Sequence, residues 1–207
     1  MGQKKIELSW ITPPLESQIN GKTITMVAGK STNLFNSPSG YFKCSDFPFY
    51  STEVVGDFIA TCHINPRFDK TYDLGCLIVW ENDDKWIKFA YELSDSGYPA
   101  IVSIRTDVYS DDCNGPMMEE PCWLRISRKD NVFALHYSKD TKNWALARIF
   151  RMEMSECIMV GISAQCPSGE KVSVDFNEFE ITDYDFTNQR LGKGHEEGRV
   201  HQLLCYL

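Results

Sequence analysis

Residues 56–92 read GDFIATCHINPRFDKTYDLGCLIVWENDDKWIKFAYE, three apolar runs separated by two polar breaks. The run after Gly75 faces the run after Lys85 across Glu81-Asn82-Asp83-Asp84. Two β-prone runs joined by a short acidic, turn-forming stretch predict a β-hairpin, here with a four-residue turn. Within the second run, Trp86, Lys88, Ala90 and Glu92 alternate with Ile87, Phe89, Tyr91 and Leu93. One face is polar-aromatic and the other apolar, as expected of an antiparallel strand covered on one side.

The same pattern recurs outward from this hairpin. Short runs at 5–10, 23–28, 40–44, 57–64, 74–80, 85–92, 99–105, 122–128, 131–137, 144–149, 157–164 and 171–181 are bounded by Gly, Pro, Asn, Asp or Ser, and helical periodicity is almost absent. Leu124 and Ile126 alternate with Trp123, Arg125 and Ser127. Phe133, Leu135 and Tyr137 alternate with Val132, Ala134 and His136. These patterns predict an all-β, antiparallel sandwich of two layers. In the last run Val172, Val174 and Phe176 are followed by Phe179 and Ile181, which have changed parity, so a β-bulge is expected near Asn177. Residues 106–121, TDVYSDDCNGPMMEEP, carry no period and read as a long loop, either lining a binding site or making a plain surface excursion. The chain reads as one domain over 1–207, with the segment from 184 either loose or folded back.

The totals exclude several classes of function. A net charge of −8 over 207 residues would be repelled by a nucleic-acid backbone or an anionic membrane, so neither is expected as a partner. No apolar run approaches the roughly 18 residues of a membrane helix. The first ten residues lack the apolar segment of a secretory signal, which leads to the expectation of a cytoplasmic protein. Eight cysteines are scattered without close pairs, and Cys62, Cys76 and Cys157 lie in strand-like runs. Buried, reduced thiols are expected rather than a disulfide framework. Cys62-His63 is a poor zinc pair, because adjacent strand residues point to opposite faces. Neither a metal nor any other cofactor is expected.

The segments LSWITPP (8–14), GDFIATCHI (56–64), the hairpin TYDLGCLIVWENDDKWIKFAYE (71–92), CWLRISRKDNVFALHYSKDTKNW (122–144) and VDFNEFEI (174–181) together resemble a concanavalin A-like family of unknown function, the one named after a yeast regulation-of-enolase protein. The resemblance covers about 6–183, so 184–207 inherits nothing from it. It implies a jelly-roll sandwich of the kind found in lectins and glucanases, whose concave sheet face often holds sugar, and a protein partner in carbohydrate metabolism.

Three functions follow from these residues. The first is non-catalytic recognition of a carbohydrate or similar polyhydroxylated ligand, since sugars need aromatic platforms beside charged or amide groups. Parity places Trp86, Lys88 and Glu92 on one face; Trp123, Arg125 and His136 are expected to share that surface, with Arg105 at its margin. The second is a protein-interaction module in regulation of carbohydrate metabolism. The third is a divergent glycoside hydrolase. The glucanases of this fold carry E-x-D-x-x-E on one strand; here only Glu178 and Glu180 have alternate spacing, so the catalytic set is incomplete. Asn82-Asp83-Asp84 and Ser110-Asp111-Asp112 offer oxygen ligands without a calcium-loop pattern. Ser138 to Trp144 reads as an architectural turn held down by Trp144.

Overall fold

The computed structural model of the chain describes residues 7–194. No helix occurs among them, and two seven-stranded antiparallel sheets make up the body of the molecule. The first sheet runs in the order β1 (Ser9–Thr12), β6 (Phe49–Val55), β15 (Cys157–Gln165), β8 (Leu74–Asn82), β9 (Lys85–Leu93), β10 (Pro99–Asp107) and β11 (Tyr109–Met117). The second runs β14 (Ala145–Arg151), β13 (Val132–Ser138), β12 (Cys122–Lys129), β7 (Phe58–Arg67), β16 (Lys171–Asp183), β3 (Thr23–Gly29) and β2 (Glu16–Asn20). Two hairpins, β4 (Asn33–Asn36) with β5 (Lys43–Asp46) and β17 (Phe186–Asn188) with β18 (Lys193–Gly194), complete the described chain.

The main core lies between the sheets. Ile87, Phe89 and Tyr91 from β9 and Leu77 and Val79 from β8 meet Leu124, Ile126, Phe133, Leu135, Ile64 and Phe176 from the second sheet. Period-2 alternation puts these residues on the inner faces and leaves their strand neighbours on the outer ones. The parity change in β16 is a bulge, as expected: its pairing with β7 shifts between Asn177 and Glu180, and Glu178 adopts a φ of 52°. The extra residue lets Phe179 and Ile181 pack against the same core as Phe176.

Two local expectations are corrected. The hairpin turn is Asp83–Asp84 alone, because Asn82 pairs with Lys85 and Asn82 Oδ1 accepts the Asp84 amide at 2.9 Å. Glu81 is absorbed in a register shift between Trp80 and Asn82. Residues 106–121 are no loop: β11 occupies most of the segment and pairs with β10 from Ala100–Met117 to Asp107–Tyr109. As an edge strand it is largely exposed and polar, so it carries no apolar alternation to betray it.

The hairpin β4–β5 makes the larger difference to function. It lies over the outer face of the first sheet, where Leu34 and Phe47 join Phe49, Trp86, Ala90, Val102 and Ile104 in a second apolar cluster. Asn36 fixes its end: its amide hydrogen-bonds Ser110 Oγ at 3.0 Å, and its Nδ2 donates to the carbonyls of Asp83 (2.9 Å) and Val108 (3.0 Å). A sheet face that reads as open to water is in fact half roofed.

Residues 5 and 6 of the first expected strand, Cys205 and the apolar end from Val200 lie outside the described residues. All seven described cysteines are free thiols; Cys62, Cys76, Cys122 and Cys166 are buried, while Cys157, expected inside, is exposed at the start of β15.

Candidate functional site

The predicted site residues do not converge. On β9, Trp86, Lys88 and Glu92 lie on the outer face of the first sheet, opposite Ile87 and Phe89. On β12 and β13, Trp123, Arg125 and His136 lie on the outer face of the second sheet, since Leu124, Ile126 and Leu135 fill the core. Both sets face away from the same core, hence away from each other. Arg105 pairs with Ile87 and shares its inward side, near β14, with its guanidinium 5.9 Å from the Phe150 ring. The expectation of one shared surface is therefore overturned. Parity says which residues of a strand share a face; it does not say to which sheet the strand belongs.

On the second sheet, the chain from 184 folds back over Arg125 and His136. The Arg125 guanidinium stacks 3.5 Å above the Trp144 ring and 5.2 Å from Phe186, and its Nη1 donates to the Gly192 carbonyl at 3.2 Å. His136 is fully buried, and its Nε2 lies 3.2 Å from the Arg190 carbonyl. Burial, with Arg125 close by, holds the imidazole below its usual pKa, so it is neutral near pH 7. Gln189 Nε2 donates to the carbonyls of Ser127 (3.3 Å) and Val132 (3.0 Å), anchoring the same segment. Trp123 rests on His63 with ring centroids 5.3 Å apart. These contacts pack the returning segment onto the sheet, and Arg125 and Trp144 also line a second cleft of about 750 Å³ with Glu180 and Phe186. The turn before β14 is likewise architecture: Asp140 accepts the amides of Lys142 and Asn143, which hold its pKa down to about 2, and Trp144 Nε1 donates to the Thr141 carbonyl at 2.8 Å.

The first sheet presents a cleft of about 570 Å³ between the β4–β5 roof and the open ends of β9 to β11. Its polar floor follows from cross-strand register. Lys88 pairs with Ile104, which pairs with Asp112; Ala90 pairs with Val102, which pairs with Asn114. Side chains two strands apart therefore stand on one face. Asp95, in the turn after β9, accepts Asn114 Nδ2 at 3.1 Å. Phe35 and Phe42 from the roof and Tyr72 before β8 supply apolar walls.

Trp86 is not one of those walls. It is 0% exposed, beneath the roof, and cannot serve as a sugar platform. Lys88, also buried, is saturated: its ammonium donates to the Leu34 carbonyl at 2.8 Å, Gln165 Oε1 at 3.0 Å and Asn33 Oδ1 at 3.3 Å. An ammonium has three protons, and all three are used. Burial lowers its pKa, against the raising influence of nearby acidic groups.

Glu92 differs. It is 7% exposed, lines the cleft, and its carboxyl makes no hydrogen bond or ion pair among the described residues. Burial pushes its pKa up to about 7; Lys88 works against this, while Asp112 and Asp95 add to it. Burial likewise raises Asp112, again opposed by Lys88. A carboxyl poised near neutrality in a cleft can accept, donate or hold a proton for a ligand.

Asp95, Asn114 and the three aromatic walls are not among the expected residues, and Asp112 is expected only as an oxygen ligand within Ser110-Asp111-Asp112. Asp112 and Asn114 lie in a segment without apolar period, and their i, i+2 spacing on β11 is what puts them on one face. Other acidic candidates are placed elsewhere. Asp84 pairs with Lys43 at 2.7 Å, Asp111 pairs with Arg148, and Glu178 lies 3.7 Å from Lys22 on the far sheet. Glu180 follows it, exposed, on the same strand. No group of three or more His, Cys, Asp or Glu side chains suited to a metal occurs among the described residues.

The family model described as "Protein of unknown function (DUF1349)" matches residues 10–184. The chain belongs to that family. It is 25% identical over 184 residues to "Regulation of enolase protein 1" of Saccharomyces cerevisiae, covering 86% of this chain and 92% of the relative. Among solved structures, a functionally unknown protein from Saccharomyces cerevisiae superposes with a TM-score of 0.81 at 23% identity, over 86% of this chain and 96% of that one. The GH43 protein BlXynB (K247S) from Bacillus licheniformis gives 0.69 at 14% identity, over 86% of this chain and 37% of that one. The carbohydrate binding module CBM66 from Bacillus subtilis gives 0.56 at 8% identity, over 86% and 96%. The two-sheet architecture and these neighbours establish the concanavalin A-like jelly roll. At such identities they establish the fold alone. No helix among the described residues is long and apolar enough to cross a membrane.

Proposed function

We propose that the protein is a non-catalytic binding module whose cleft on the first sheet takes a carbohydrate or similarly polyhydroxylated ligand. The observation that carries this reading is Glu92, a buried carboxyl facing a cleft that also presents Asp112, Asn114 and aromatic walls. Hydrogen-bonding groups beside apolar walls match the alternating hydroxyl and C–H surfaces of a sugar. The volume lies within the range of small-ligand sites. Of the residues expected from sequence, Lys88 and Glu92 belong to this reading; Trp86, Arg105, Trp123, Arg125 and His136 do not.

The test is calorimetric titration with a panel of mono- and disaccharides, alongside thermal unfolding. A ligand at a hundred times its Kd stabilises the native state by about 2.7 kcal/mol. Binding is expected to weaken at least tenfold in Asp112→Asn and Phe42→Ala. Absence of any shift at millimolar sugar, or affinities unchanged by both substitutions, ends this reading.

A second reading, a protein-interaction module in carbohydrate metabolism, is favoured by the name of the yeast relative and by an apolar patch at the roof. Tyr41 is 91% exposed beside Gly40, where an added Cβ would lie 3.4 Å from the Tyr109 ring, and Val108 is exposed next to Tyr109. Co-sedimentation with purified enolase, lost in Tyr41→Ser with Tyr109→Ser, tests it; no co-sedimentation of the wild type overturns it.

A further inference from the structure

The charges of the cleft narrow the ligand class, an inference that rests on the binding reading above. Three carboxyl groups, Glu92, Asp95 and Asp112, face the cleft, and Lys88 is the cation among them. Its three protons are already committed to Leu34, Gln165 and Asn33, so it has none to offer a ligand. The cleft is thus an acidic cavity without a free donor cation among the described residues. Asp95 is engaged by Asn114, which leaves Glu92 and Asp112 turned toward whatever enters.

A neutral sugar would satisfy Glu92 by hydrogen bonds but leave the excess negative charge uncompensated in a partly desolvated space. An ammonium group does both. Aromatic side chains of Phe35, Phe42 and Tyr72 line the same cleft, a composition that suits a cation. We propose that the ligand is an amino sugar whose ammonium sits against Glu92 and whose hydroxyls bond Asp112 and Asn114. The groups facing Glu92 are Lys88 on its own strand, Cys76 on β8, Asp112 on β11 and Asp95 in the turn; of these, Lys88 alone is cationic. Bound cation and ionised Glu92 stabilise each other, so binding releases a proton from a carboxyl that is partly protonated near neutrality.

The experiment compares four probes by calorimetry at pH 6.5: the β-1,4 disaccharide of glucosamine, its di-N-acetyl form, cellobiose, and spermidine. The amino disaccharide is expected to bind at least tenfold tighter than the other three. Its affinity should fall about tenfold per pH unit from 6.5 to 5.0, where its amine stays charged while Glu92 protonates. Glu92→Gln should remove the preference, bringing the amino disaccharide to within about twofold of cellobiose measured on the same variant. Equal binding of cellobiose and the amino sugar overturns the charge assignment and leaves the sugar-binding reading standing. Equal binding of spermidine shows that hydroxyls contribute nothing and overturns the amino sugar. A preference that survives in Glu92→Gln also overturns it, and no binding by any saccharide overturns both this inference and the reading beneath it.

Discussion

Lys88 and Glu92 stand four residues apart on the same face of β9, and their charged groups are treated oppositely. The Lys88 ammonium is bound by three oxygens from β4 and β15, whereas the Glu92 carboxyl faces the cleft without a polar partner among the described residues. The first therefore fastens the roof to the sheet, and the second is available to a ligand.

Lys88→Met keeps the aliphatic stem and removes the three hydrogen bonds. It leaves the Leu34 carbonyl and Gln165 Oε1 buried without that donor, an effect worth about 1–3 kcal/mol, set against relief from burying a charge. A net loss of roughly 1–2 kcal/mol in denaturant unfolding is expected, with faster exchange of the β4 amides. Unchanged stability and unchanged exchange would show that the roof is held by its apolar contacts alone.

Glu92 sets a pH dependence of known sign. Its pKa is raised to about 7 in the fold, mainly by burial, from the 4.5 of an ordinary glutamate. Between those values the native state holds the proton more tightly than the unfolded chain, so stability is full below pH 4.5 and declines as pH rises through 7. Glu92→Gln should match the wild type near pH 4.5 and exceed it at about pH 8 by roughly 2–3 kcal/mol. Parallel stability curves for the two proteins across this window would refute the assignment.

Arg125 ties the returning segment to the second sheet through Trp144, Phe186 and the Gly192 carbonyl. Arg125→Ala should cost about 1–3 kcal/mol through lost stacking and hydrogen bonding. It should also open residues 184–194 to limited proteolysis. The sugar affinity of the opposite sheet should be untouched, which separates this residue from the cleft.

Gly161 lies where β15 pairs with β6, opposite Ser51. A Cβ built there would fall 2.2 Å from the Tyr50 carbonyl oxygen and 2.6 Å from Ser51 Cβ. Because the obstacle includes backbone, Gly161→Ala should destabilise by about 3 kcal/mol, visible as a lowered unfolding midpoint. A midpoint within a degree of wild type would mean that the strands move apart at little cost.

Local chemistry along the chain determined the strands, their alternation and the bulge in β16. Inward residues such as Phe89 and Leu135 must repeat with period two, and Phe176 followed by Phe179 announces a parity change wherever it occurs. An edge strand such as β11 needs no apolar face, so its pairing with β10, not its sequence, defines it. Trp86 and Arg125 looked like neighbours because each stands opposite a core residue. Only the sheet order shows that they lie on opposite outsides of the sandwich. Likewise nothing within residues 85–93 foretells that residues 33–47 will fold over them and turn a solvated face into a cleft. Periodicity acts between neighbours in the chain, whereas the roof and the saturation of Lys88 arise from contacts across 54–77 positions, which tertiary packing alone selects.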